Sequence, residues 1–320
     1  MNTMKWLIQR EYWENKGMVF WAPAIVGTLM IAFTVIMLIA GNNIETHLDG
    51  DKMARLSELT MQERGALTGG AAAAFPMVAM PLYVMMAFLI FFYCLNALYD
   101  DRRDRSILFW KSLPVSDTLT VLSKAGMAMV AVPVIVAVIS FVTSLTMLLL
   151  GTLFMAFKGV NLFGELLASP AFWLSPFRML SLVPVYLLWA LPTVGWLLMV
   201  SSWARSKVFL WAVGAPLLSG ALLAWANHAF KLGLQIEWYF QNVVLRLLGS
   251  VLPGAWFLFN ESSRQAMEHV DDRSNPGAAV GQFYNEAYAS LASPTLWVGV
   301  AAGVAMIAAA IWLRRWREEN

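Results

Sequence analysis

The chain has 320 residues, 59% of them hydrophobic and only 13% charged, with a formal net charge of +2. Its mean hydropathy is +0.63. That balance excludes an ordinary soluble domain of this length and points to a polytopic, all-α membrane protein forming one membrane domain over residues 1–320, with no nucleic-acid partner expected.

The chain opens on a stretch that reads as an interfacial helix over residues 1–17. Met4, Leu7, Ile8 and Tyr12 share one helical side, and Glu11 interrupts the stripe. Trp6, Tyr12 and Trp13 suit the headgroup region of a bilayer, and Arg10 and Glu11 are candidates for a further contact. One helical span needs about 20 consecutive apolar residues. Six segments approach or exceed this without Asp, Glu, Lys, Arg or His: Met18–Ala40, Gly65–Leu98, Ala125–Phe154, Leu180–Trp203, Val208–Ala226 and Pro294–Leu313. The first has too long an apolar core for a cleavable signal and lacks a small-residue cleavage site, so it reads as an anchor.

Between the second and third of these lies Tyr99-Asp100-Asp101-Arg102-Arg103-Asp104-Arg105, running into Ile107-Leu108-Phe109-Trp110-Lys111-Ser112-Leu113-Pro114. Such a block cannot sit in lipid and must lie in water or against a partner. On a helix Arg102, Ser106, Phe109 or Trp110, and Leu113 fall on one face, and Pro114 disfavours helix in the residue before it. An aromatic anchor flanked by Arg suits a docking cleft. The other reading is a solvated loop drawn to anionic headgroups.

The remaining connections are uneven. Gly41–Arg64, Met155–Met179 and Asn227–Ser293 are long, whereas Ala204-Arg205-Ser206-Lys207 is a tight turn. Within residues 227–293, Trp238–Asn260 is apolar but broken by Gln241, Asn242, Arg246 and Pro253; it reads as a re-entrant hairpin or an interfacial helix, not a seventh span. His269–Gly281 has the composition of an exposed excursion. In the last span Gly299-x-x-x-Gly303 is a weak sign of helix packing.

The positive-inside rule sets the orientation. Lys5, Arg10, Lys16, Arg102, Arg103, Arg105, Lys111, Lys124, Arg205, Lys207, Arg314, Arg315 and Arg317 share the side of both termini, while the longer opposite loops carry fewer basic residues. Both termini are therefore expected in the cytoplasm, with the segments before the last span external.

Chemistry-bearing motifs are sparse. There is no G-x-x-x-x-G-K-[ST], H-E-x-x-H or G-x-S-x-G, and His47, His228 and His269 all fall outside the spans. Cys94 reads as a small packing residue. No Asp, Glu, Lys, Arg or His interrupts the six segments, unlike the relay sites of ion-coupled transporters, so an energy source on another polypeptide is expected.

Asp101-Arg102, Arg105-Ser106, the apolar run Ile107–Trp110, Leu113-Pro114-Val115-Ser116 and Lys124, at the foot of the third span, stand in an order and spacing that resemble the first cytoplasmic loop of the membrane subunit of type-2 ATP-binding-cassette exporters. Arg105 departs from the glycine common there. The layout of an N-terminal helix, six spans and a large segment before the last resembles the same family along nearly the whole chain. The resemblance implies that Asp101, Arg102, Arg105, Ser106, Phe109, Trp110, Leu113 and Pro114, within residues 99–117, couple to a separate ATPase. It implies two ATPase subunits carrying ATP and magnesium, none of it bound by this chain, and a second permease copy, identical or related. It also implies a cell membrane location, such as a bacterial inner membrane. In that family the second and fifth spans of two copies line the route, which makes Met77, Met80, Tyr83 and Ser219 path candidates; core filling or lipid contact explains them equally well. Two other classes stay open: a scaffold or sensor that moves no substrate, and a lipid-directed membrane enzyme, for which Asp49, Asp51, Asp271 and Asp272 are the available acids.

Overall fold

The computed structural model describes residues 3–48, 61–103, 116–260, 263, 265 and 276–317. Among these the chain is helical almost throughout and contains no strand, and six helices are long and apolar enough to cross a membrane: Gly17–Ala40, Phe75–Arg103, Asp117–Phe157, Pro170–Trp203, Val208–Phe230 and Pro294–Trp316. The protein is an all-α polytopic membrane protein. Its spans are referred to below as first to sixth, and the end of the bundle bearing the N-terminal helix and the last turns of the sixth span as the terminal end.

The fourth span is the axis. It packs most extensively on the sixth and also against the second, third and fifth. Trp189, Val194, Leu197 and Leu198 on it are wholly buried. Its contact with the sixth span is made backbone to backbone. A Cβ built on Gly195 would lie 2.5 Å from the Gly303 carbonyl oxygen, and one on Gly303 would lie 2.7 Å from the Leu191 carbonyl. Only glycine permits this approach, and the expected packing role of Gly303 is met. Gly299 serves a different purpose, described below. The first and fifth spans lie at the periphery, with Ile25, Leu29, Phe33 and Ile36 exposed on one and Leu210, Leu218, Leu222 and Trp225 on the other. In a bilayer such apolar faces are solvated by lipid tails.

Three local devices shape the terminal end. The second span continues as helix through Arg103, so Asp100, Asp101 and Arg102 form its last turn and do not begin a loop. Ser116 caps the third span, its Oγ accepting from the Leu119 amide at 3.3 Å, with Asp117 in the first turn. Between the fourth and fifth spans, Lys207 takes a left-handed conformation, φ 49°, to reverse the chain in the predicted tight turn.

At the opposite end the sequence reading needs amendment. The long first loop holds a helix, Met61–Ala74, separate from the second span, which starts at Phe75 rather than Gly65. The excursion ends in another helix, Pro276–Ala289. These two and the outer part of the fourth span, Pro170–Ser181, pack together as a cap. Beneath it Leu182, Val185, Trp189, Trp256, Tyr284 and Leu296 form a second core.

Trp238–Asn260 is a hairpin inserted among the spans. Tyr239 Oη is 2.8 Å from Ser219 Oγ, at the midpoint of Val208–Phe230, and Thr193 Oγ1, at the midpoint of Val183–Trp203, donates to the Arg246 carbonyl at 3.0 Å. The chain then turns through Pro253-Gly254, where Gly254 has φ 79°, and Tyr186 donates to the Val251 carbonyl at 2.9 Å. Contacts at the midpoints of two spans select the re-entrant alternative over an interfacial helix. Its backbone polar groups are met by helical bonds and span hydroxyls, the condition for irregular backbone at that depth.

Candidate functional site

The stripe on the N-terminal helix faces into the bundle, and its interruption is its centre. Leu7 and Glu11 are the buried residues of that helix, Glu11 only 3% exposed. Glu11 Oε1 receives the Lys124 ammonium at 2.9 Å, and its Oε2 accepts from Tyr93 Oη at 2.9 Å. Lys124 also reaches Asp101 Oδ1 at 3.3 Å. The other oxygen of Asp101 faces Arg314 Nη1 at 3.4 Å, and Arg314 Nε reaches Asp117 Oδ1 at 3.2 Å. One connected network thus joins the N-terminal helix, the end of the second span, the start of the third and the end of the sixth.

The fourth span is tied in by Arg102. Its guanidinium donates to the Ala204 carbonyl at 3.0 Å and to the Ser201 carbonyl. Ser201 Oγ in turn accepts the Leu98 and Tyr99 amides at 3.1 and 3.0 Å. Arg102 therefore blocks the last carbonyls of the fourth span, the favourable position for a cation at a helix C-terminus. Glu11, Asp101 and Asp117 balance Lys124, Arg314 and Arg102 in sign. Glu11, Lys124 and Arg314 have side chains no more than 5% exposed. Taking such charges from water is costly, and the arrangement holds because each finds an opposite charge or a carbonyl. A cavity of about 430 Å³ opens beside the network between the N-terminal helix and the second and third spans, lined by Arg10, Glu14, Asn15, Asn96 and Asp100 among others.

Of the residues expected to couple to an ATPase, Asp101 and Arg102 are here, at the root of the first loop. Arg105, Ser106, Phe109, Trp110, Leu113 and Pro114 lie outside the described residues. The acid expected to face water or a partner, Asp101, instead pairs within the chain. Lys124, noted for its place in the loop pattern, is a member of the network. The sequence singles out none of Glu11, Asp117, Tyr93 and Ser201 for this role, and marks Arg314 only as a topology charge. The signal for Glu11 was present: a lone acid on an apolar stripe of an interfacial helix demands a cation.

The path candidates divide. Met80 and Tyr83 line a small apolar cavity of about 60 Å³ with Met86, Met179 and Trp256. Tyr83 also borders a larger one of about 250 Å³ beneath Pro176 and Phe177. Met77 packs, partly buried, against the second core under the cap. Ser219 is held by Tyr239 and by the Pro216 carbonyl on the fifth span, apart from those cavities. Among the described residues, Met80 and Tyr83 share a cavity, whereas Met77 and Ser219 stand apart from it.

No family model, curated protein or solved structure matches the chain.

Proposed function

We propose that this chain is the membrane-spanning permease subunit of an ATP-binding-cassette transporter, with its first loop on the cytoplasmic side as the contact for a separate ATPase and export as its direction. The observation that carries the reading is the anchorage of that loop. Its N-terminal root, Asp101 and Arg102, is bonded to the third, fourth and sixth spans, and through Lys124 to the N-terminal helix. A force applied to residues 104–115 would be delivered at once to most of the bundle, as a subunit energised from outside requires. A solvated connecting loop has no need of such fastening. The resemblance of the loop sequence to exporter permeases supplies the partner, two ATPase subunits holding ATP and magnesium, and the pairing with a second permease copy. Both termini then lie in the cytoplasm and the re-entrant hairpin opens toward the outside.

The test is purification of the tagged chain from its native cell in mild detergent. The expected result is a stoichiometric partner carrying a nucleotide-binding P-loop, lost on Leu113→Asp or Trp110→Ala while insertion is unaffected. A stable preparation of this chain alone would reject the transporter reading and favour a scaffold that moves no substrate. In reconstituted vesicles the same two variants should lose ATP-driven transport; normal transport in both would remove the loop from the coupling role.

A further inference from the structure

The re-entrant hairpin carries a further buried cation, and among the described residues no acid meets it. Arg246 is 6% exposed. Among the described residues no carboxylate pairs with it: its guanidinium donates to the Thr295 carbonyl, and its Nε has no hydrogen-bond partner. Two aromatic faces compensate in part, with Trp189 at 5.3 Å and Phe259 at 5.9 Å from ring centroid to guanidinium carbon. The sixth span makes room for it through Gly299, where a Cβ would collide with the guanidinium. An arginine keeps its charge under nearly all conditions, and a charge held at this depth ordinarily finds a counter-ion.

The place for that counter-ion is adjacent. A cavity of about 400 Å³ lies between the hairpin and the sixth span, bordered by Pro192, Trp238, Asn242, Arg246, Val298 and Ala302. Its walls are apolar apart from Arg246, Asn242 and Thr295. Its rim residues Trp238 and Val298 are 58% and 69% exposed on the outer face of the bundle, where lipid lies. A soluble anion gains nothing from such walls, whereas an acidic headgroup on an apolar chain satisfies both parts of the site.

We propose that Arg246, Asn242 and the adjoining cavity bind an anionic amphiphile, a lipid-like molecule whose phosphate or carboxylate sits against the guanidinium and whose chain runs along the sixth span. The site does not depend on how the protein is energised. The whole chain in mild detergent is tested with phosphatidylglycerol, phosphatidylcholine and inorganic phosphate, reading the unfolding midpoint and, by native mass spectrometry, the bound lipid. Phosphatidylglycerol should raise the midpoint saturably and remain bound, with phosphatidylcholine and phosphate ineffective. Arg246→Gln should weaken phosphatidylglycerol binding about tenfold, the scale of one lost charge-assisted contact. Ala302→Phe, which fills the cavity and leaves Arg246 in place, should do the same, so a folding defect in the first variant does not decide the matter. Equal binding of the two lipids, or wild-type binding in Ala302→Phe, would overturn the proposal. Stabilisation by phosphate alone would make this a soluble-anion pocket and overturn the amphiphile. Lipid-free dimers that Ala302→Phe dissociates would overturn it too, by assigning the cavity to a second copy.

Discussion

Asp101 uses both carboxylate oxygens on cations from different spans, Lys124 through one and Arg314 through the other. Removing one member leaves a neighbour charged and enclosed, which typically costs about 3–5 kcal/mol, whereas the net worth of the intact pair is smaller. Glu11→Ala and Lys124→Ala should therefore each lower stability by about that amount in detergent unfolding, and the double variant by clearly less than their sum. Additive losses would mean that the two side chains do not interact. Residues such as these are poorly legible in sequence for a plain reason. Glu11 and Lys124 are 113 positions apart, and nothing local to either specifies the other. What sequence does reveal is the unmet need: an acid on an apolar stripe, or Arg246 alone in an apolar run.

Elements were more legible than contacts. The apolar runs located all six spans, because length and lack of charge are what a bilayer selects. Boundaries failed where an apolar run continued through a break in direction. Gly65–Ala74 is as free of charge as the second span it precedes, yet belongs to a separate helix, joined to that span through the 3-10 stretch Phe75–Ala79. The hairpin was seen as an anomaly but its depth was not, since depth depends on which spans supply hydroxyls to it. One aromatic holds it there: the Phe240 ring fills the space over Gly220, where a Cβ would come within 2.7 Å of the ring. Gly220→Val should therefore expel Phe240 and loosen the hairpin. With Asn242→Cys as a reporter, and native Cys94 buried, labelling by a water-soluble maleimide should rise in that background; unchanged labelling would show that the ring does not hold the segment. At the other glycine contact, Gly303→Leu should separate the fourth and sixth spans and lower the unfolding midpoint more than Gly281→Leu, since a Cβ at Gly281 meets nothing.

Over the whole molecule, the fourth and sixth spans with the second make a firm centre, and the first and fifth ride at the edges. The two ends are secured by different means: ion pairs at the terminal end, and aromatic packing such as Trp189 stacked on Phe259 at 6.0 Å beneath the cap. Amide exchange should therefore be slowest in the fourth span and fastest, among the spans, in the first and fifth. A first span exchanging as slowly as the fourth would place a second copy, or another partner, against its exposed face.

The charge network also has a consequence for biogenesis. Its members leave the ribosome in the order Glu11, Asp101, Asp117, Lys124 and, far later, Arg314. Until the sixth span is in place, Asp101 and Asp117 lack the guanidinium that joins them, and the nascent bundle carries surplus acid at its membrane border. Arrival of the sixth span is thereby written into charge balance at one spot. Chains stopped before Pro294 should show a shorter cellular half-life in a pulse-chase than full-length chains, and Asp101→Asn with Asp117→Asn should lengthen the survival of the shortened form. Surveillance would then be reading acid that Arg314 of the sixth span balances.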